Sequence, residues 1–304
     1  VAVDTRFRTA KPVGGTGTLR ELFVGLLWLA ASMYTAHATI TGSGDLAGAV
    51  GSAAAALPGV IAAALLTGAT IGTAASSRFR PAGLRLLIGL GAGAMFGAAA
   101  AVAIRFGYGD EPSITVFAVT VGAASVLGGA VAVLPTDVVE AALWATTWVF
   151  FAGVIFGVLE PNLVNLLGGG PTADPASQET AVERFTLATS VLTGLIAASY
   201  AFRTLRGERT NKLWFLLAGG LPGLLLVAAE WLTRLGGRSI INLVTGFAPD
   251  DTALAPLSDA DRLRHAVIVL VVGGAVAFVS SLFVRAAPAS GPESESDPDA
   301  DLAD

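Results

Sequence analysis

Several ionisable residues lie inside or at the borders of long apolar runs, and they define the chemistry open to this chain. Glu230 is the most telling. It follows Leu224-Leu225-Leu226-Val227-Ala228-Ala229 and still has Trp231-Leu232 beyond it. A carboxylate in such a stretch is costly to keep in a membrane and marks a substrate or proton pathway by default. The competing reading is structural: Arg234 lies one helical turn on and is placed to pair with it. Glu140 begins the fifth apolar run and Glu160 ends it, while Arg105 ends the third and can extend its long side chain outward. Together Glu230, Arg105, Glu160 and Glu140 are the pathway candidates. The two histidines, His37 and His265, fall at run ends on what the charge pattern makes the outer side, within reach of Asp45 or Glu160. Two histidines so far apart in sequence do not form a metal signature.

Asp45 closes the string Gly42-Ser43-Gly44-Asp45. This G-x-G-D resembles the catalytic motif of membrane aspartyl proteases of the presenilin and prepilin-peptidase type. The likeness covers four residues, and it implies a second intramembrane aspartate, because two carboxylates must share one proton. No other expected span holds an interior Asp, Asp137 falls on the opposite side, and Leu46-Ala47-Gly48 replaces the basic residue of the prepilin type. A glycine-rich turn before a span is the preferred reading. No phosphate-binding loop, H-E-x-x-H or nucleophile elbow occurs, and no cofactor is implied. With no Cys in the chain, disulfides, thiol catalysis and cysteine metal sites are excluded.

The elements that must carry these residues are membrane spans. Of the 304 residues 54% are hydrophobic and 13% charged, about half the charge of a typical soluble domain. A spanning helix needs about 20 apolar residues. Eight runs qualify: Leu19–Thr39, Leu46–Ala75, Leu84–Ile104, Ile114–Leu134, Val138–Leu159, Phe185–Phe202, Leu213–Leu235 and Ala266–Val284. The second is long for one crossing, and Pro58 inside it predicts a kink or a short outer helix feeding the span. The expectation is therefore an all-α polytopic bundle of about eight transmembrane helices.

Arginines fall on alternate connections. Arg6, Arg8, Lys11, Arg20, Arg78, Arg80, Arg85, Arg203, Arg206, Arg209, Lys212 and Arg285 are 12 of the 18 bases and share one side. The positive-inside rule makes that side cytoplasmic and puts both termini there. The fourth-to-fifth connection (Pro135, Thr136, Asp137) is the weak point, since it carries no base. Basic residues that flank spans fit anionic lipid, so the bilayer is the expected partner and nucleic acid is not. The dominance of Ala, Gly and Arg fits a high-GC prokaryote and its cell membrane. The basic arm and first run, with Ala36-His37-Ala38 near its end, could also be a cleaved signal peptide, but the charge pattern works with this span retained.

Residues 1–18 read as a cytoplasmic arm, 19–285 as the membrane domain and 286–304 as a disordered acidic tail. The tail holds Glu293, Glu295, Asp297, Asp299, Asp301 and Asp304 without a base, and the segment beyond Ala287 could dock a basic protein partner. Two long outer loops are expected near Glu160–Arg184 and Gly236–His265, with apolar patches lying at the interface. Asn162-Leu163-Val164 and Asn242-Leu243-Val244 are 80 residues apart, as are Arg184 and Arg264, which is consistent with chance likeness or a duplicated hairpin. Gly68-x-x-x-Gly72, Gly89-x-x-x-Gly93-x-x-x-Gly97 and Gly153-x-x-x-Gly157 offer faces for close helix packing within the monomer. The functional expectation is small-solute transport or a transporter subunit. The alternative is a non-catalytic scaffold acting through outer loops and tail, and an intramembrane enzyme ranks third.

Overall fold

A computed structural model describes residues 16–42, 46–110, 112–170, 173–207, 211–245 and 260–283. Among these, 91% are helical and none is in a strand. The helices are α1 (Thr16–Gly42), α2 (Leu46–Ser76), α3 (Ala82–Tyr108), α4 (Pro112–Gly129), α5 (Thr136–Leu166), α6 (Pro175–Leu205), α7 (Lys212–Thr245) and α8 (Ala260–Leu282), with a 3-10 turn at Ala130–Val133 leading into α5. All eight α-helices are long and apolar enough to cross a membrane. The sequence explains this: in lipid every backbone N–H and C=O must be satisfied within its own segment, so an apolar run becomes a helix.

Where they fall within the described residues, the long outer loops expected around Glu160–Arg184 and Gly236–His265 are largely helix. α5 runs on through Pro161 to Leu166, α6 starts at Pro175, and α7 continues to Thr245. The causes are local. Leu167, Gly168 and Gly169 return their N–H groups to the carbonyls of Leu163, Asn165 and Val164, and Gly168 takes the positive φ of 99° that ends the helix. Asp174 then accepts from the Ser177 N–H, and Pro175 stands at the first helical position, where its missing N–H costs nothing. The 31 residues of α5 and of α6 each span about 46 Å, more than the thickness of a bilayer's hydrocarbon core. α2 is a single 31-residue helix with Pro58 inside it, so no separate outer helix feeds the second span.

The packing falls into two four-helix units. In the first, α2 packs on α1, α3 and α4, and α3 on α4; in the second, α6 packs on α5, α7 and α8, and α7 on α8. The units meet where α2 and α4 face α5 and α7. An apolar core fills that seam, built from Leu57, Ile61, Leu66, Val121, Phe150 and Leu225 among others.

Glycines close the seams within each unit. A Cβ on Gly68 would lie 2.1 Å from the Ser125 carbonyl oxygen, and one on Gly128 would lie 2.0 Å from that of Leu65, so α2 and α4 touch backbone to backbone. Gly89 and Gly93 meet Gly129 and Ser125 in the same way, and Gly219 and Gly223 meet Gly273 and Leu270 between α7 and α8. Gly153 and Gly157 differ: nothing lies within 4 Å of either, so this third pattern faces outward and is not a seam of the monomer.

Candidate functional site

The first turns of α8 carry polar ties to both α6 and α7. Glu230, on the α8-facing side of α7, is 4% exposed. Its Oε1 accepts from Nε of Arg234 at 3.1 Å, and its Oε2 lies 3.6 Å from Nε of Arg262 on α8. Glu230 thus sits in the α7–α8 seam, about two turns along α7 from the contact of Gly223 with Leu270. Antiparallel register brings Arg262 opposite it. Two residues further along α8, Arg264 donates to Glu183 of α6 at 3.0 Å.

His265 completes this region. Its Nδ1 is 2.7 Å from Oγ of Ser190 on α6. The Ser190 hydroxyl also lies 2.5 Å from the Thr186 carbonyl oxygen, and its single proton is directed there. Nδ1–H of His265 therefore donates to Ser190, the reverse of what an activated serine nucleophile requires. Three ties, Arg262 to α7 and Arg264 and His265 to α6, fix the start of α8 between its two neighbours. Chemically, the arrangement can act as a lock: one buried carboxylate is held between two partly exposed guanidinium groups from neighbouring helices.

The other sequence candidates are scattered. Arg105, at the end of α3, donates to Asp110 at 2.9 Å and closes a local ion pair. Glu140 and Glu160 are both exposed and lie about 30 Å apart along α5. His37 stands edge-on to Tyr108 of α3, with ring centroids 5.7 Å apart. The structure does not bring Glu230, Arg105, Glu160 and Glu140 to one place. Asp45, the residues after Ala287 and most of the amino-terminal arm lie outside the described residues. Among the described residues, no three His, Asp or Glu side chains converge on a possible metal position.

The opposite end of the bundle has its own ties. The Arg20 guanidinium stacks over Trp144 at 4.8 Å, joining α1 to α5 across the two units. Arg85, from the start of α3, donates to the Leu134 carbonyl and lies within electrostatic reach of Asp137. The fourth-to-fifth connection, which has no base of its own, thus receives one from a neighbouring helix.

Sequence reasoning missed Arg262, Glu183 and Ser190 as partners. Each contact depends on the register between helices distant in sequence, and no local pattern carries that. Asp174-Pro175 was a readable signal for the start of α6. No protein-family model, no curated protein and no solved structure matches the chain.

Proposed function

We propose that the chain is a non-catalytic, multi-pass protein of a prokaryotic cell membrane, with both termini cytoplasmic, that assembles partner proteins through its outer end on one side and its acidic tail on the other. The observation that carries this over solute permeation is the closure of Glu230 between Arg234 and Arg262. The residue best placed by sequence to serve a pathway is occupied as a structural tie. The glycine seams close each unit by backbone contact, and an apolar core lies between the units, with buried threonines such as Thr120 at its edge against Gly236. Orientation rests on the base distribution, with Arg20, Arg85 and the short basic connections at one end of the bundle.

The test has two arms. Affinity purification of the full chain should return a stoichiometric partner that is lost when residues after Ala287 are removed. In proteoliposomes, proton flux read by an entrapped pH dye should not exceed that of empty vesicles. A flux carried by the native chain and abolished by a folded Glu230→Gln variant would overturn the proposal. It would favour small-solute transport, the second reading, for which the division into two units is the supporting feature.

A further inference from the structure

The two units share more than a helix count. α2 carries Leu65-Leu66-Thr67-Gly68 and α6 carries Val191-Leu192-Thr193-Gly194, 126 residues apart, with Arg80 and Arg206 equally far beyond each glycine. In both cases the glycine meets the fourth helix of its own unit: Gly68 meets Ser125, and Gly194 meets Val272 and Gly273. The third helices match as well. Gly89-x-x-x-Gly93 rests on Gly129 and Ser125 of α4, and Gly219-x-x-x-Gly223 rests on Gly273 and Leu270 of α8. Four crossings per unit give both the same orientation, so the chain reads as a tandem of one four-helix design.

This equivalence exposes an asymmetry. Ala62, Leu66, Ala69 and Thr73 form one stripe of α2 and are all buried; the first three belong to the apolar core shared with the second unit, and Leu66 lies beside Leu143 and Trp144 of α5. The matching stripe of α6, in the same register, is Ala188, Leu192, Leu195 and Ser199. All four are exposed, Leu192 by 47% and Leu195 by 38%. The α2/α4 side of the first unit holds α5 and α7; the α6/α8 side of the second unit holds nothing among the described residues. By order and packing the counterparts of α5 and α7 are α1 and α3; these pack on either side of α2 rather than on each other as α5 and α7 do, and both present open apolar side chains, including Leu27 and Met95.

We propose that the α6/α8 face docks the α1/α3 face of a second copy of this chain, repeating between molecules the contact that joins the units within one. Such an interface is head-to-tail, so it propagates to more than two copies unless its rotation closes a ring. The occupant is inferred from the interface already present in the molecule, where the same α2 stripe covers itself with a four-helix unit rather than with lipid. The proposal does not depend on what Glu230 does, and its test needs no outside partner.

The absence of native Cys makes cross-linking unambiguous. Two differently tagged variants, Leu192→Cys and Leu27→Cys, are co-expressed, and native membranes are treated with a short bis-maleimide. Met95→Cys serves as a second probe on α3, and Leu195→Cys replaces Leu192→Cys if that variant is not monodisperse by size exclusion. The expected result is a mixed dimer carrying both tags, no product from Leu192→Cys alone, and a ladder beyond the dimer when both cysteines are in one chain. Linking of Leu192→Cys to itself would overturn the head-to-tail arrangement. Absence of any product, together with single-step photobleaching of the labelled chain in native-membrane nanodiscs, would mean that lipid covers α6 and would overturn the proposal.

Discussion

Replacing Gly68 by Ala adds one methyl group where the structure has no room for it. The new Cβ would lie 2.1 Å from the Ser125 carbonyl oxygen and 2.8 Å from the Ser125 Cα. An ordinary contact begins near 3.4 Å, so α2 and α4 must part by about 1.3 Å along a seam that also carries the contact of Gly128 with Leu65. Both sides are backbone, and no side-chain rotation relieves the clash. Overpacking of this kind costs about 3 kcal/mol at the upper end of its usual range. The gain in helix propensity from Gly to Ala returns about 1 kcal/mol. A net loss of about 2 kcal/mol lowers the melting temperature by about 4–8 °C. The control is Gly153→Ala, which meets nothing within 4 Å and should leave the melting temperature unchanged or slightly raised. The assay is size exclusion in detergent after graded heating, with both variants beside the native chain. A Gly68→Ala protein that melts at or above the native value would refute the claim of backbone contact, and an equal loss in Gly153→Ala would refute the claim that its face is open.

The same structure makes three further outcomes testable. In intact cells a membrane-impermeant maleimide should label Gln178→Cys, near the start of α6, and spare Ser77→Cys at the end of α2; the reverse pattern would invert the topology. Arg85→Gln removes the donor to the Leu134 carbonyl and should speed amide exchange around residues 134–139 while leaving α6 unchanged. The Asp174 carboxyl is held below its ordinary value by the Ser177 hydroxyl and, secondarily, by backbone N–H groups. A depressed folded value means that its contribution is present above the unfolded value of about 3.9 and is lost as pH falls through the folded one. Protection of the first turn of α6 should therefore be flat from neutral pH to about 5 and fall in more acid solution. Asp174→Asn should remove that dependence.

Much of the scaffold was legible because hydropathy accumulates over a window. Twenty apolar residues outvote any one polar neighbour, and all eight spans are helices long enough to cross. The ends of α5, α6 and α7 were not legible from the same signal. Glu160, Asn162, Glu179, Glu183 and Arg184 lower the local hydropathy, yet a helix already nucleated continues until a cap stops it. Those caps, Gly168 after α5 and Asp174-Pro175 before α6, were present in the sequence as plain local chemistry. Glycine spacing was legible only as a possibility. Gly68, Gly89 and Gly153 open the same pattern, but which helix face turns inward is settled by the whole bundle. For the polar cluster, the pairing of Glu230 with Arg234 is dictated by helical spacing alone. Arg262, Arg264 and His265 meet their partners only because the glycine seams set the register of α8 against α6 and α7. The base-free connection at Pro135–Asp137 shows the same limit, since Arg85 reaches Leu134 from another helix.

The central claim is that Glu230 locks α8 to α7 rather than serving a pathway, and the melting temperature of a Glu230→Gln variant tests it most directly. Breaking a fully buried ion pair from one side costs about 3–5 kcal/mol. Arg234 and Arg262 keep 25% and 29% of their side-chain surface exposed, which reduces the expected loss to about 2–3 kcal/mol. That corresponds to about 5–10 °C. Such a fall, measured beside the native chain in the same detergent, is the predicted result. A Glu230→Gln protein that melts at the native temperature or above it would contradict the account.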